Sequence, residues 1–162
     1  WSGADGKRML DETGCAGVVV GRGCLGRPWL FADLVASMNG IESKSRPTLF
    51  EVRDVMLRHG QLLMEFFEAE GRAMRDLRKH MAWYLKGFRV HSELRRQFGM
   101  VGSLKELRSL LDQLDDQPYP VEVGEKPRGR TSSGRPPTLP DGWLNDPDEM
   151  IQLDVEDMFS GG

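Results

Sequence analysis

Apolar residues recur along this chain in two rhythms, and the place where one gives way to the other divides it. The first rhythm covers residues 4–38. Ala4 to Thr13 reads as a short amphipathic helix carrying Met9 and Leu10, closed by Gly14, which suits a left-handed C-terminal position. Ala16 to Val20 is a β-branched apolar run and predicts a buried strand. Gly21-Arg22-Gly23 ends that run and leads into a helical segment with Pro28 near its start, continuing through Trp29, Leu30, Phe31 and Leu34. Helix, buried strand, glycine turn and helix make one α/β unit and not a domain.

After a linker from Asn39 to Pro47 the pattern turns wholly helical. Thr48, with Glu51 three residues later, forms a capping box that opens a long helix to about Glu70. Its apolar groups, among them Leu49, Val52, Val55, Met56, Leu62, Leu63, Phe66 and Phe67, occupy much of its circumference and predict a central place in a bundle. A second helix is expected over about Gly71 to Phe88 and a third over Ser92 to Phe98. A fourth runs from a second box, Ser103 with Glu106, to about Leu114. Short connections between these helices predict a small antiparallel bundle.

Composition adds a third region. The 162 residues, 39% hydrophobic and 29% charged, suit one globular domain with a tail. They are too few for a complete (β/α)₈ barrel, which needs at least about 200 residues. Residue 1 is Trp, so the chain is expected to be a fragment or a processed product. From Gln117 to Gly162 lie seven of the nine prolines, with four basic and nine acidic residues. Residues 117–162 are therefore expected to form a Pro-rich, acidic, disordered tail, with Met150 to Phe159 as a possible docking segment. No apolar run approaches the length of a membrane span and no leader is evident, which points to a soluble, cytoplasmic chain. Cys15 and Cys24 match neither a zinc pattern nor a disulfide framework.

The net charge of -3 hides an opposite balance in the folded part. Residues 1–116 hold 18 basic and 16 acidic side chains, and between Arg72 and Arg108 ten basic residues face three acids. At about 100° per residue, Met74, Leu77, Met81, Tyr84, Leu85 and Phe88 share one side of the second bundle helix. Arg72, Arg75, Lys79, Trp83 and Lys86 share the other, with Arg89 just beyond. Cations at that spacing match backbone phosphates, and an aromatic among them can stack on a base, although such a stripe also serves as an ordinary solvated face. Gly21, Arg22 and Gly23 form a second candidate. A strand end that opens a helix leaves backbone N–H groups aimed at one spot, and Arg22 adds a charge to that anion site. Cys15 is expected to be packed against the strand, and Cys24 has no base near it in sequence. His80 reads as a surface or interface hydrogen-bonder, while His59 and His91 have no partner at a useful spacing. No catalytic dyad or metal cluster is visible.

Two strings carry a resemblance. Thr13-Gly14-Cys15-Ala16-Gly17-Val18-Val19-Val20-Gly21-Arg22-Gly23, followed by Gly26-Arg27-Pro28-Trp29-Leu30-Phe31, resembles the last barrel strand and phosphate loop of the tRNA-dihydrouridine synthases. Arg78-Lys79-His80-Met81-Ala82-Trp83-Tyr84-Leu85-Lys86-Gly87 resembles the signature of that family's C-terminal helical domain. The match covers residues 1 to about 115 and leaves the tail outside. It implies a mainly α chain: the C-terminal remnant of a TIM barrel in residues 1–40, a helical tRNA-binding domain in residues 48–116, and the tail. It further implies FMN-dependent, NADPH-linked reduction of uridine to 5,6-dihydrouridine in tRNA. Gly21, Arg22 and Gly23 would hold the FMN phosphate, and the basic helix would grip tRNA, in a monomeric chain with no membrane partner. The family's catalytic cysteine lies on an earlier barrel loop, and neither Cys15 nor Cys24 matches it, so this chain alone is expected to be inactive. Two other readings remain: a stand-alone, non-catalytic RNA-binding helical module, and another FMN-dependent barrel oxidoreductase.

Overall fold

The computed structural model describes residues 2–126 and Arg128, and among them every regular element is helical. All fall within one unit spanning residues 1–131. Helix α1 (Gly3–Thr13) opens with a closed capping box. The Ser2 hydroxyl accepts from the Asp5 N–H at 3.1 Å, and the Asp5 carboxylate accepts from the Ser2 N–H at 3.0 Å. Gly14 ends it in the left-handed region at φ 66°, its N–H donating to the Leu10 carbonyl. A three-residue 3₁₀ turn, Arg22–Cys24, precedes α2 (Leu30–Met38), which packs on α1 and buries Leu30, Asp33 and Leu34.

The strand expected over Ala16 to Val20 does not form. The segment is irregular, no strand occurs among the described residues, and the Val19 side chain is 100% exposed. Cys15, expected to be packed against that strand, is exposed as well. The physical reason is that a strand is completed by hydrogen bonds to neighbouring strands, and no such neighbour exists among the described residues. A β-branched run states a preference that only a partner can satisfy.

The bundle forms largely as its pattern predicts. Helices α3 (Leu49–Phe67) and α4 (Glu70–Tyr84) make its most extensive pair, α5 (Ser92–Phe98) joins α4 to α6 (Leu104–Leu111), and α6 returns to α3. Thr48 and Glu51 close their capping box in both directions. The second box is half formed, because the Ser103 hydroxyl accepts from the Glu106 N–H while the Glu106 carboxylate takes the Gly102 N–H at 2.7 Å. Leu49, Met56, Met74, Leu77, Met81, Leu85, Phe98, Val101, Leu107 and Leu111 are fully buried between these helices. Each large side chain so removed from water contributes about 1.5–3 kcal/mol.

Two differences refine that reading. Helix α3 is not central: Leu49, Val52 and Met56 are buried, while Phe50, Leu62 and Phe66 lie exposed on its outer side. Helix α4 stops at Tyr84, short of Phe88. The Arg95 guanidinium reaches across from α5 and donates to the carbonyls of Leu85 (2.9 Å), Phe88 (2.6 Å) and Val90 (3.1 Å), satisfying acceptors that a longer helix would have used internally.

The segment 117–126, placed in the tail by composition, is folded onto the bundle. Gln117 brackets the Arg89 backbone, accepting from its N–H at 2.8 Å and donating to its carbonyl at 2.9 Å. Tyr119 meets Trp29 and Phe88 edge-on, with ring centroids 6.2 and 6.3 Å apart, and a short helix, α7 (Val121–Gly124), follows. Proline and charge averaged over 46 residues conceal two aromatic contacts and one side-chain clamp. The remainder of the expected tail, including Met150 to Phe159, lies outside the described residues.

Several contacts hold the N-terminal region together and join it to the bundle. Gly26, at φ 63°, lies so close to the α4 end that a Cβ there would fall 2.2–2.5 Å from backbone atoms of Trp83 and Tyr84. The Asp33 carboxylate, buried on α2, accepts from the Ser45 N–H and hydroxyl and from the Ser43 hydroxyl, at 2.7–3.1 Å. Glu125, just past α7, pairs with Lys44 at 2.5 Å and with Arg46 at 2.9 Å.

Candidate functional site

On α4 the two sides expected from the sequence separate cleanly. Met74, Leu77, Met81 and Tyr84 are buried, while Arg72, Arg75 and Lys79 are exposed and Trp83 and Lys86 are half-buried. Arg72 lies over the Phe67 ring at 4.8 Å, Lys79 is ion-paired with Asp76, and the Lys86 ammonium is 5.7 Å from the Trp83 ring centroid. The Lys79 hydrogen bond holds the Asp76 carboxyl below the usual carboxylate range. Arg89 is exposed just beyond the helix. From Arg72 to Trp83, both on α4, is 11 residues, hence about 16 Å at helical rise, enough to follow several phosphates.

Not every cation in the basic stretch can serve such a surface. Arg78 is committed to the Val101 carbonyl at 2.7 Å and Arg95 to its three carbonyls, so both are positioning groups of the bundle. Arg96 is paired with Glu93 at 2.7 Å. The structure also adds cations from outside the basic stretch. Burial lowers the Lys86 pKa, and Arg128, Lys126 and Arg27 lower it further, which places three more positive groups around the C-terminal end of the stripe. Arg128 is buried and donates to the Trp83 carbonyl at 2.8 Å and the Gly124 carbonyl at 3.1 Å. Composition hides it by placing it in the tail; the nearby aromatic Tyr119 is the available hint that this part of the chain folds back.

The glycine loop reaches the same place. Arg27 donates from Nε to the Gly23 carbonyl at 2.7 Å, and Gly26 rests on the Trp83 backbone. Gly21, Arg22 and Gly23 are thereby brought beside the Trp83–Lys86 end of the stripe, whereas Arg72 lies at its far end. Gly21 and Arg22 are exposed, nothing stands within 4 Å of where a Gly21 Cβ would lie, and the first N–H groups of the 3₁₀ turn have no intrahelical acceptor. An exposed guanidinium, open space and N–H groups without an intrahelical acceptor fit one side of a phosphate. Cys24 donates from Sγ to the Gly21 carbonyl at 3.2 Å.

His59, which has no partner at a useful spacing in the sequence, and His80, read there as a surface or interface hydrogen-bonder, meet across the α3–α4 seam. Their ring centroids are 4.9 Å apart, and the Tyr84 hydroxyl is 3.1 Å from His59 Nδ1. Burial lowers the His59 pKa and the neighbouring His80 lowers it further, while burial pushes the Tyr84 phenol up to about 12. These groups form one wall of a cavity of about 400 Å³, whose other wall is Cys24, Leu25, Pro28 and Phe31. Residues 21 and 25 apart in sequence give no pattern by which to find this triad.

Comparisons with known proteins show one family. The family model described as dihydrouridine synthase matches residues 1–118. A probable tRNA-dihydrouridine synthase of Mycobacterium tuberculosis is 49% identical over 164 aligned positions, and one of Mycobacterium leprae is 48% identical. Both alignments take in 100% of this chain, so the likeness extends through the tail that the two motifs leave outside. The tRNA-dihydrouridine synthase B of Pasteurella multocida is 36% identical over 100 residues, 62% of this chain and 30% of its own length. The chain spans 42% of the length of its mycobacterial relatives.

Proposed function

The chain belongs to the dihydrouridine synthase family, and from that premise we propose that it supplies the FMN-phosphate and tRNA contacts of an enzyme that reduces uridine to 5,6-dihydrouridine in tRNA. Residues 1–40 are the last unit of its TIM barrel, and residues 48–116 its tRNA-binding domain. Gly21, Arg22 and Gly23 hold the FMN phosphate through backbone N–H groups and the Arg22 charge. FMN, reduced by NADPH, supplies hydride to the uracil ring when bound. Arg72, Arg75, Lys79, Lys86 and Arg89 hold the RNA backbone, and Trp83 stacks on a base or ribose beside them. Neither cysteine acts as the proton donor in this reading, and the chain alone does not turn over.

The observation that carries the proposal is the row of cations Arg72, Arg75 and Lys79 on α4, followed past its end by Lys86 and Arg89, close to where Gly26 rests on the Trp83 backbone. Its test is tRNA binding across a salt series with Arg75, Lys79 and Lys86 all changed to Glu. The expected result is weaker binding and a log–log salt slope reduced by about 2–3, roughly one for each phosphate that is no longer neutralised. An unchanged slope would remove the basic face from the mechanism.

A further inference from the structure

Between the glycine loop and the basic stripe lies the cavity walled by Cys24, Leu25, Pro28 and Phe31 on one side and by α3 and α4 on the other. At about 400 Å³ it falls within the range of small-ligand sites, about 300–1,000 Å³. Its surface is mostly apolar, with Val55 and Leu62 from α3, and its polar groups are few and gathered: His59, His80, the Tyr84 hydroxyl and, at the rim, Arg58. Leu62 of α3 is exposed there, a large apolar side chain on a surface otherwise rich in charge.

We propose that this cavity receives one unstacked base of the bound RNA, a base that is not itself reduced. The proposal rests on the tRNA reading above for its ligand and adds a site that reading does not contain. Position argues for RNA. On the α4 helical wheel His80 lies about 80–100° from Arg72 and Lys79 and farther from Arg75, so the cavity flanks one edge of the stripe that would carry the phosphates, a quarter turn round the helix. A base turned out of a strand held on Arg72 and Lys79, the stripe cations nearest His80, would enter it from that flank.

Chemistry argues for a base over a second phosphate. His59 is shielded from water and faces His80, conditions that favour the neutral imidazole. The neutral His59 imidazole and the Tyr84 hydroxyl are bonded to each other through Nδ1, and whichever tautomer is present the pair leaves one donor and one acceptor between them. Base edges carry donors and acceptors side by side, whereas a phosphate offers only acceptors. Flat apolar walls with imidazole and phenyl rings suit a stacked heterocycle. The base held here is not the one reduced, because the only thiol on the wall, Cys24, is engaged with the Gly21 carbonyl and does not match the family's proton donor.

The test follows the imidazole NMR signals of His59 and His80 in the full chain, assigned with His59→Gln and His80→Gln, during titration with AMP, UMP and ribose 5-phosphate. The nucleotides are expected to shift both imidazoles and ribose 5-phosphate neither. Val55→Phe, which fills the cavity from α3, is expected to abolish those shifts and weaken tRNA binding about tenfold, within the range of one stacked base, while leaving the salt slope intact. Leu62→Trp fills it from the exposed rim and gives the same result where a buried change fails to fold. Equal shifts with ribose 5-phosphate, no shift with either nucleotide, or shifts that survive both filled variants overturn the proposal. The stripe is judged separately by the salt slope of the charge-reversed chain, so either reading can fail alone.

Discussion

The N-terminal region and the helical bundle are of comparable regularity but of different completeness. In the bundle, the continuous core runs from Leu49 to Leu114, and Phe98, Val101 and Leu107 are wholly removed from water. In residues 2–47, only Leu30 and Leu34 are buried among the large apolar residues, while Met9, Val19, Phe31, Val35, Met38 and Ile41 remain exposed. A helix pair with capped ends can be well formed and still lack a core of its own. The exposed apolar side chains measure how much of its packing the N-terminal region takes from elsewhere, and the proposed barrel is where that packing would be found.

The sharpest way to break this contrast is to damage the bundle's centre. Phe98→Ala removes a ring with no exposed surface and is expected to cost about 3–5 kcal/mol, seen as a large drop in the denaturant midpoint. Smaller is the effect of Gly26→Ala at the seam between the regions. The left-handed backbone alone costs about 1–3 kcal/mol for a non-glycine residue, and the new Cβ meets Trp83 and Tyr84 backbone that cannot step aside. Faster proteolysis in the 39–47 linker, with the bundle's helical signal retained, is the expected signature.

Acidification probes the α3–α4 seam within the bundle more gently. The His59 pKa is lowered from its ordinary 6.5 in the folded chain, so the unfolded chain takes up a proton first. Stability is therefore full above about 6.5 and falls as the pH drops through and below that value. Urea midpoints compared between pH ~7.5 and ~5.5 should decline, and His59→Gln should flatten the decline; an unchanged pH dependence in the variant would assign it to other groups. The smallest effect is expected at Val19→Ser, within about 0.5 kcal/mol in this chain, because its side chain touches nothing that the fold requires.

What can be read from the sequence follows the same boundary. Helices declare themselves locally: Thr48 with Glu51, Ser103's hydroxyl and Gly14 all mark helix ends correctly, and the α4 wheel separates Met74, Leu77 and Met81 from Arg72, Arg75 and Lys79. Ala16 to Val20 misleads because a strand depends on a partner elsewhere. Arg78 and Arg95 pass for surface charge because nothing in their spacing reveals the carbonyls of Val101, Leu85 and Phe88. The His59–Tyr84 and Arg128–Trp83 bonds join residues 25 and 45 positions apart, and no local rhythm encodes them.

The Asp33 carboxylate sets a rule for how this chain can vary in length. By gripping Ser43 and Ser45 it closes the stretch between α2 and residue 45 into a loop whose ends are already fixed. Extra residues placed at 39–42 enlarge that loop at little entropic cost and leave its anchor in place. The same insertion at 46 or 47 falls after the anchor and shifts where Thr48 can begin α3. Indels among relatives are thus expected on one side of Ser45 and excluded on the other.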